Sequence, residues 1–197
     1  AIIKNNALGD YEGAISDYTN AIELDPTEID YFQGRADSKI SLNDFSGALT
    51  DFKKAIKLDP ENSTSLAGKA SAEYYLKDYE GAIKDAKKAI KLDPKNSLAF
   101  YFLAHSKYEL ENFSGALKDI NKGIKIASEY KASEDYEFYD LRGSIKMALE
   151  DYSEAIKDFS KSIQLNPEGV NAYRNRGKIK EFSEDLKGAK LDFRKAG

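Results

Sequence analysis

Proline stands at four positions, and three of them, Pro26, Pro60 and Pro94, are spaced by 34 residues, with Pro167 following 73 later. A fixed period of about 20 to 50 residues constrains a chain more than its composition does. Each repeat is one supersecondary unit that buries its apolar face only against its neighbours. Ser128 occupies the place where the series calls for another proline. Alanine repeats the ladder at Ala14, Ala48, Ala82, Ala116, Ala155 and Ala189, in steps of 34, 34, 34, 39 and 34, so five extra residues fall between the fourth and fifth units. Three residues before each alanine stands Tyr11, Phe45, Tyr79, Phe113, Tyr152 or Leu186. Three residues after it stands Asp17, Asp51, Asp85, Asp119, Asp158 or Asp192.

Inside a unit the apolar residues recur at helical steps of three and four, as in Ala48, Leu49, Phe52, Ala55, Ile56 and Leu58. Leu-Asp-Pro then ends the helix, because proline lacks the N–H donor and disfavours helical geometry at the residue before it. A second helical stretch, such as 31–42, precedes the first and is separated from it by Asn43 and Asp44. Each unit is therefore predicted to be a helix, a tight turn and a helix. Small residues at Ala36, Ala70, Ala104, Gly143 and Gly177 on the first helix, opposite the alanine ladder of the second, let the two axes approach closely.

These features resemble the tetratricopeptide repeat family. The segment Leu-Gly-Asp-Tyr-Glu-Gly-Ala-Ile at 8–15 and the pairs Ala48/Phe52, Ala155/Phe159 and Ala189/Phe193 carry the likeness. The resemblance implies an all-α fold, a right-handed superhelical solenoid of antiparallel helix-turn-helix repeats with a concave groove. Over 1–197 it reads as a single array: a partial repeat at 1–28, repeats at 29–62, 63–96, 97–135 with the five-residue insertion, and 136–169, and a truncated repeat at 170–197. The family's tryptophan is replaced by Phe32, Leu66, Phe100, Tyr139 and Tyr173, and its later tyrosine by Lys39, Glu73, Lys107, Lys146 and Lys180. The insertion, within 128–135, is expected to lengthen the inter-repeat loop or the helix before it. The chain begins Ala-Ile-Ile without a methionine and leaves Leu191 and Phe193 uncovered at its other end. It is therefore read as a processed product or a fragment, with further flanking sequence expected.

The composition removes several function classes. With no cysteine and one histidine there is no disulfide, no thiolate site and no multi-histidine metal site, so no metal or cofactor is expected. Thirty basic against 34 acidic residues give a net charge of −4, which argues against a nucleic-acid surface and against an RNA-binding helical repeat. The longest apolar run, 98–104, is seven residues, so no membrane insertion is expected. Nucleophile-elbow, zinc-protease and phosphate-loop motifs are all missing, and no catalytic residue is assigned. The recurrent aspartates are read as structural. Asp17, Asp51, Asp119 and Asp158 are expected to pair with Arg35, Lys69, Arg142 and Arg176 of the following first helix, while Asp85 meets Leu103 and has no base.

Leu98, Tyr101, His105 and Tyr108 lie at steps of three and four and form one stripe of a first helix. In the resembled family that stripe lines the concave groove. Carried through the other units it comprises Asp30, Gln33, Asp37 and Ile40; Thr64, Ala67, Ser71 and Tyr74; Glu137, Asp140, Ser144 and Met147; Asn171, Arg174, Lys178 and Glu181. The expected partner-binding residues are Tyr74, Leu98, Tyr101, His105, Tyr108, Asp140, Met147, Arg174 and Lys178. Tyr74, Tyr101, Tyr108 and Met147 would serve as anchors, since such side chains are enriched at interface cores. An alternative has the tyrosines packing against the facing second helix. No three consecutive units supply the lysine and asparagine set of the family's carboxylate clamp. The function expected is a non-enzymatic scaffold for a protein or peptide ligand. Self-association into a homo-oligomer through exposed repeat end faces is the alternative.

Overall fold

Each predicted pair of helices forms. The computed structural model describes residues 10–129 and 136–197. Among these residues are eleven α-helices: α1 (Tyr11–Leu24), α2 (Ile29–Ser41), α3 (Phe45–Leu58), α4 (Ser63–Tyr75), α5 (Tyr79–Leu92), α6 (Ser97–Glu109), α7 (Phe113–Glu129), α8 (Tyr136–Ala148), α9 (Tyr152–Leu165), α10 (Val170–Phe182) and α11 (Leu186–Lys195). The chain is all-α, as expected. Residues 1–9 of the partial first repeat, including the start of the 8–15 motif, and residues 130–135, in the segment that holds the insertion, lie outside the described residues.

The turn inside each pair is built the same way. Asn43, Lys77, Glu111, Glu150 and Glu184 adopt φ between 59° and 64°, the left-handed conformation that ends the first helix. The next residue caps the second helix. Asp44, Asp78, Asn112 and Asp185 accept a hydrogen bond from the N–H of Gly47, Gly81, Gly115 and Gly188 at 2.9–3.0 Å. Glycine is needed for so close a cap, because a Cβ at Gly47 would come within 2.0 Å of the Asp44 carboxylate. Where Glu154 replaces it, the bond from its N–H to Asp151 Oδ1 lengthens to 3.4 Å. At the far end of the second helices, Asp25 and Asp59 turn extended before proline and accept the N–H two residues on, from Thr27 and Glu61.

The alanine ladder is buried throughout, from Ala14 at 0% exposure to Ala189 at 3%. Between the ladders lie the aromatics. Phe52 packs with Ala36, Ala48 and Ala72, and Phe159 with Ala155, Ala172 and Ile179. Phe52 lies so close to α4 that a Cβ on Gly68 would fall 2.3 Å from its ring. The helices gather into two compact units, one up to Ser106 and one from Lys107, so the boundary falls within α6. Part of the insertion is taken up as helix, because α7 runs for 17 residues where α3, α5 and α9 run for 14.

The aspartate series is structural, but its partners differ from those expected. Asp51 is held by Arg35 through Nε and Nη2 at 2.9 and 2.7 Å and by Lys39 at 2.7 Å. The same two-base clasp binds Asp158 to Arg142 and Lys146, and Asp192 to Arg176 and Lys180. Lys69 pairs with Asp85, and Lys107 with Asp119. The pairs thus close within one helix pair rather than onto the next first helix. Two antiparallel helices joined by a short turn place residues 16 apart opposite each other. The arginine's remaining donor reaches the preceding second helix instead, at Thr19 for Arg35, Asn121 for Arg142 and Ser160 for Arg176. Burial opposes ionisation of Asp192, yet the hydrogen bonds from Arg176 and Lys180 outweigh it and hold the carboxyl below its usual value.

Candidate functional site

In the first unit the first helices lie side by side, tied together by Gln33, Tyr74 and His105 of the predicted stripe and by polar side chains outside it. Gln33 of α2 donates to Asn62 Oδ1 at 2.9 Å and to Ser65 Oγ at 2.8 Å, at the start of α4. Asn96, just before α6, donates to Ser63 Oγ at 2.8 Å. Tyr74 of α4 meets His105 of α6 through a 2.7 Å hydrogen bond between Oη and Nε2. The residues so joined are 29 to 33 apart, a few positions short of the 34-residue period, so successive first helices touch through positions up to about one turn out of register.

Tyr74, Tyr101 and His105 come together there. The Tyr74 ring stacks on His105 at 4.2 Å and lies 5.7 Å from Phe102 and 5.8 Å from Tyr79 of α5. Tyr101 meets Phe102 edge-on at 5.1 Å and His105 at 5.5 Å, and is 8% exposed. Both tyrosines are thus substantially committed to packing, and Tyr74 does reach the facing second helix. Burial pushes His105 down to about 4, so it is a neutral member of an aromatic cluster at neutral pH. Leu98, one turn earlier on α6, is exposed.

Sequence reasoning passed over Tyr18 of α1. Its ring sits on Gly34, where a Cβ would fall 2.2 Å from Cζ, and its hydroxyl is raised by burial and then by the charges of Asp37 and Asp30. The signal was present in the register. Tyr18 follows Asp17 as Phe52 follows Asp51, and Gly34 faces it as Gly68 faces Phe52. Asp37 keeps contact with solvent, but the protein around it removes enough water to push its carboxyl up to about 6.

In the second unit, Tyr108 tilts against Phe113 of α7 at 5.6 Å. Asp140 of α8 is half-buried, and its Oδ1 is shut off from solvent without a hydrogen-bond partner. Arg142, two residues on, is turned away to Asp158 and Asn121. Desolvation accordingly pushes Asp140 up to about 6. Met147 packs on the cluster of Ala155, Phe159, Ala172 and Ile179, while Arg174 and Lys178 stand exposed on α10.

The charges of each unit divide into two sets. Asp51, Asp85, Asp119, Asp158 and Asp192 are consumed in ion pairs within the helix pairs. Among the described residues, Asp37, Asp140, Arg174 and Lys178 on the stripe make no ion pair. An unpaired carboxylate in a partly desolvated setting favours a cationic or N–H donor from outside the chain. No group of three or more histidine, cysteine, aspartate or glutamate side chains among the described residues could hold a metal ion, and no helix among them is long and apolar enough to cross a membrane.

Comparison with known proteins gives a consistent likeness. Profiles described as tetratricopeptide repeat match residues 6–28 and 34–97, and one described as TPR repeat matches 143–181. Curated protein sequences gave no match. Among solved structures, MamA is 25% identical with a TM-score of 0.66, over 82% of this chain and 91% of that one. A tetratricopeptide repeat protein from Parabacteroides merdae is 24% identical with a TM-score of 0.74, over 96% and 72%. YrrB, described as a TPR protein with an unusual peptide-binding site, is 23% identical with a TM-score of 0.64, over 93% and 92%.

Proposed function

The chain belongs to the tetratricopeptide repeat family, and from that premise we propose that it is a non-enzymatic scaffold whose first-helix faces hold a segment of a partner protein. One observation carries this reading. The charges in the structural register are absorbed by internal pairs, whereas Asp37, Asp140, Arg174 and Lys178 on the stripe are left for something else. The stacked helices present a largely preformed surface, so binding orders little of the receptor. Exposed edges of Tyr74, Tyr108 and Met147 supply apolar contact, and the unpaired charges set register. Asp37 and Asp140 ask for lysine or arginine in the partner, and Arg174 and Lys178 for acidic residues.

The test is a selection from a displayed peptide library against the parent chain and against Asp37→Asn/Asp140→Asn. The reading expects a recurrent motif with basic residues in the parent selection, bound at least about tenfold more weakly by the variant. A motif held equally by both would refute the assigned role of the two carboxylates.

Self-association is the second reading, favoured by the open apolar side chains of α11, where Leu186 is 66% and Leu191 60% exposed. It expects sedimentation to show concentration-dependent size that Leu191→Glu abolishes. Constant monomeric size up to millimolar concentration would remove it.

A further inference from the structure

A hollow of about 450 Å³ opens in the first unit between the last turns of α1 and α3, and it shares no residue with the first-helix stripe. Its walls are Ile22, Pro26, Phe32 and Leu58, and Lys54 and Lys57 stand at its edge. Both lysines are exposed and have no ion-pair or hydrogen-bond partner among the described residues. The nearby Asp25 and Asp59 accept hydrogen bonds from Thr27 and from the N–H of Glu61, and neither forms an ion pair with Lys54 or Lys57.

The repeat provides an internal comparison. Thirty-four residues on, the corresponding set is Ile56, Pro60, Leu66, Lys88, Lys91 and Leu92. There Lys88 folds across to the Pro60 carbonyl at 3.2 Å. Lys161, the same register position in the second unit, lies over the Tyr139 ring at 5.8 Å. Lys54 does neither, so the first copy keeps an open apolar floor beside two uncommitted cations. The C-terminal ends of α1 and α3 oppose an anion here with roughly half a charge each, against two full charges from the lysines. The Asp25 and Asp59 carboxylates lie at the same helix ends, so what the hollow offers an anion is the local attraction of two unpaired ammonium groups rather than a net positive charge.

We propose that this hollow receives one bulky apolar side chain of a partner protein segment, whose neighbouring aspartate or glutamate pairs with Lys54 and Lys57. The charge complementarity is opposite to that of Asp37 on the first-helix face of the same unit. The inference goes beyond the reading of that face and stands independently of it.

The test uses the 197-residue chain and three blocked heptapeptides. They are Gly-Ser-Asp-Phe-Asp-Ser-Gly, its charge-reversed form with lysine for both aspartates, and a form with alanine for phenylalanine. Methyl NMR at Ile22 and Leu58 reads occupancy. The acidic phenylalanine peptide is expected to shift both methyls, and the other two to leave them in place. Lys54→Glu/Lys57→Glu changes only exposed side chains and should weaken that binding about tenfold. Lys88→Glu/Lys91→Glu should leave it unchanged. The proposal is overturned if the acidic peptide does not shift these methyls, if the charge-reversed peptide shifts them equally, or if both double variants behave alike. It is also overturned if the methyls respond only to anionic phosphatidylglycerol vesicles, or to protein concentration without peptide. Each of those two results would assign the hollow to a different occupant.

Discussion

Glu73 is the place where the repeat departs from its own electrostatic rule, and replacing it tests whether the ion-pair clasp stabilises the stack. In α2/α3, α8/α9 and α10/α11 two bases serve one aspartate. In α4/α5 the position of the second base is Glu73, so Lys69 alone serves two carboxylates, at 2.7 Å from Glu73 and in direct contact with Asp85. Glu73 is 6% exposed, and its Oε2 is buried without a hydrogen-bond partner. Burial raises its carboxyl; Lys69 opposes the rise, while Asp85 and Asp78 add to it. An unsatisfied buried polar group costs about 1–3 kcal/mol, and the i,i+4 pair with Lys69 returns only about 0.2–0.5 kcal/mol. Glu73→Lys, which recreates the two-base clasp on Asp85, should therefore stabilise the chain by about 1–2 kcal/mol at pH 7. At this chain length that is a rise in Tm of roughly 2–8 °C.

The pH dependence gives the sharper check. A carboxyl raised in the folded state contributes stability that is fully present below its unfolded value of 4.5 and is lost as pH rises through the folded value. Glu73→Gln should therefore match the parent near pH 4 and exceed it progressively towards pH 7. Urea unfolding followed by circular dichroism at both pH values measures this. Destabilisation of both variants at pH 7, or a difference independent of pH, would refute the reasoning.

Two further outcomes follow from the same geometry. Lys77 holds φ at 64°, a conformation that costs a side-chain residue about 1 kcal/mol, so Lys77→Gly should raise stability by up to that amount; Lys84→Gly within α5 should lower it by about 1 kcal/mol, both read from urea midpoints. Because Asp37 and Asp140 titrate near 6, a basic peptide that uses them should bind more weakly at pH 5 than at pH 7.5; an affinity flat across that range, measured by calorimetry, would separate the peptide from both carboxylates.

Much of this architecture is legible in the sequence because a repeat states each rule several times. The alanine ladder, the break at Leu-Asp-Pro and the Asn43–Asp44 type of turn suffice to locate the helices. The ion pairs fall within one helix pair, where the expectation from the period runs to the next first helix. Separations of 16 and of 18 residues fit the period equally well, and only the turn's length decides which residue stands opposite Asp51. The stripe was legible as a face but not in its accessibility. Tyr101 and His105 have the right spacing, yet whether such rings point outward or onto Phe102 depends on neighbours one repeat away. Asp140 stands out by its position, whereas its unpartnered oxygen does not: Ser144, one turn on, donates its hydroxyl to the Asp140 backbone carbonyl and not to the carboxylate, which spacing alone does not reveal. The added length of α7 reflects where the insertion chose helix over loop.

The most direct test of the central claim is to map where a selected peptide sits, by amide and methyl NMR on the parent chain. The account predicts that saturating peptide shifts resonances on the first-helix faces, at Asp37, Tyr74 and His105 in the first unit or at Asp140, Met147 and Lys178 in the second, and leaves Leu186 and Leu191 unmoved. Shifts confined to α11 or to the outer sides of α3 and α5, with the stripe unmoved, would contradict it.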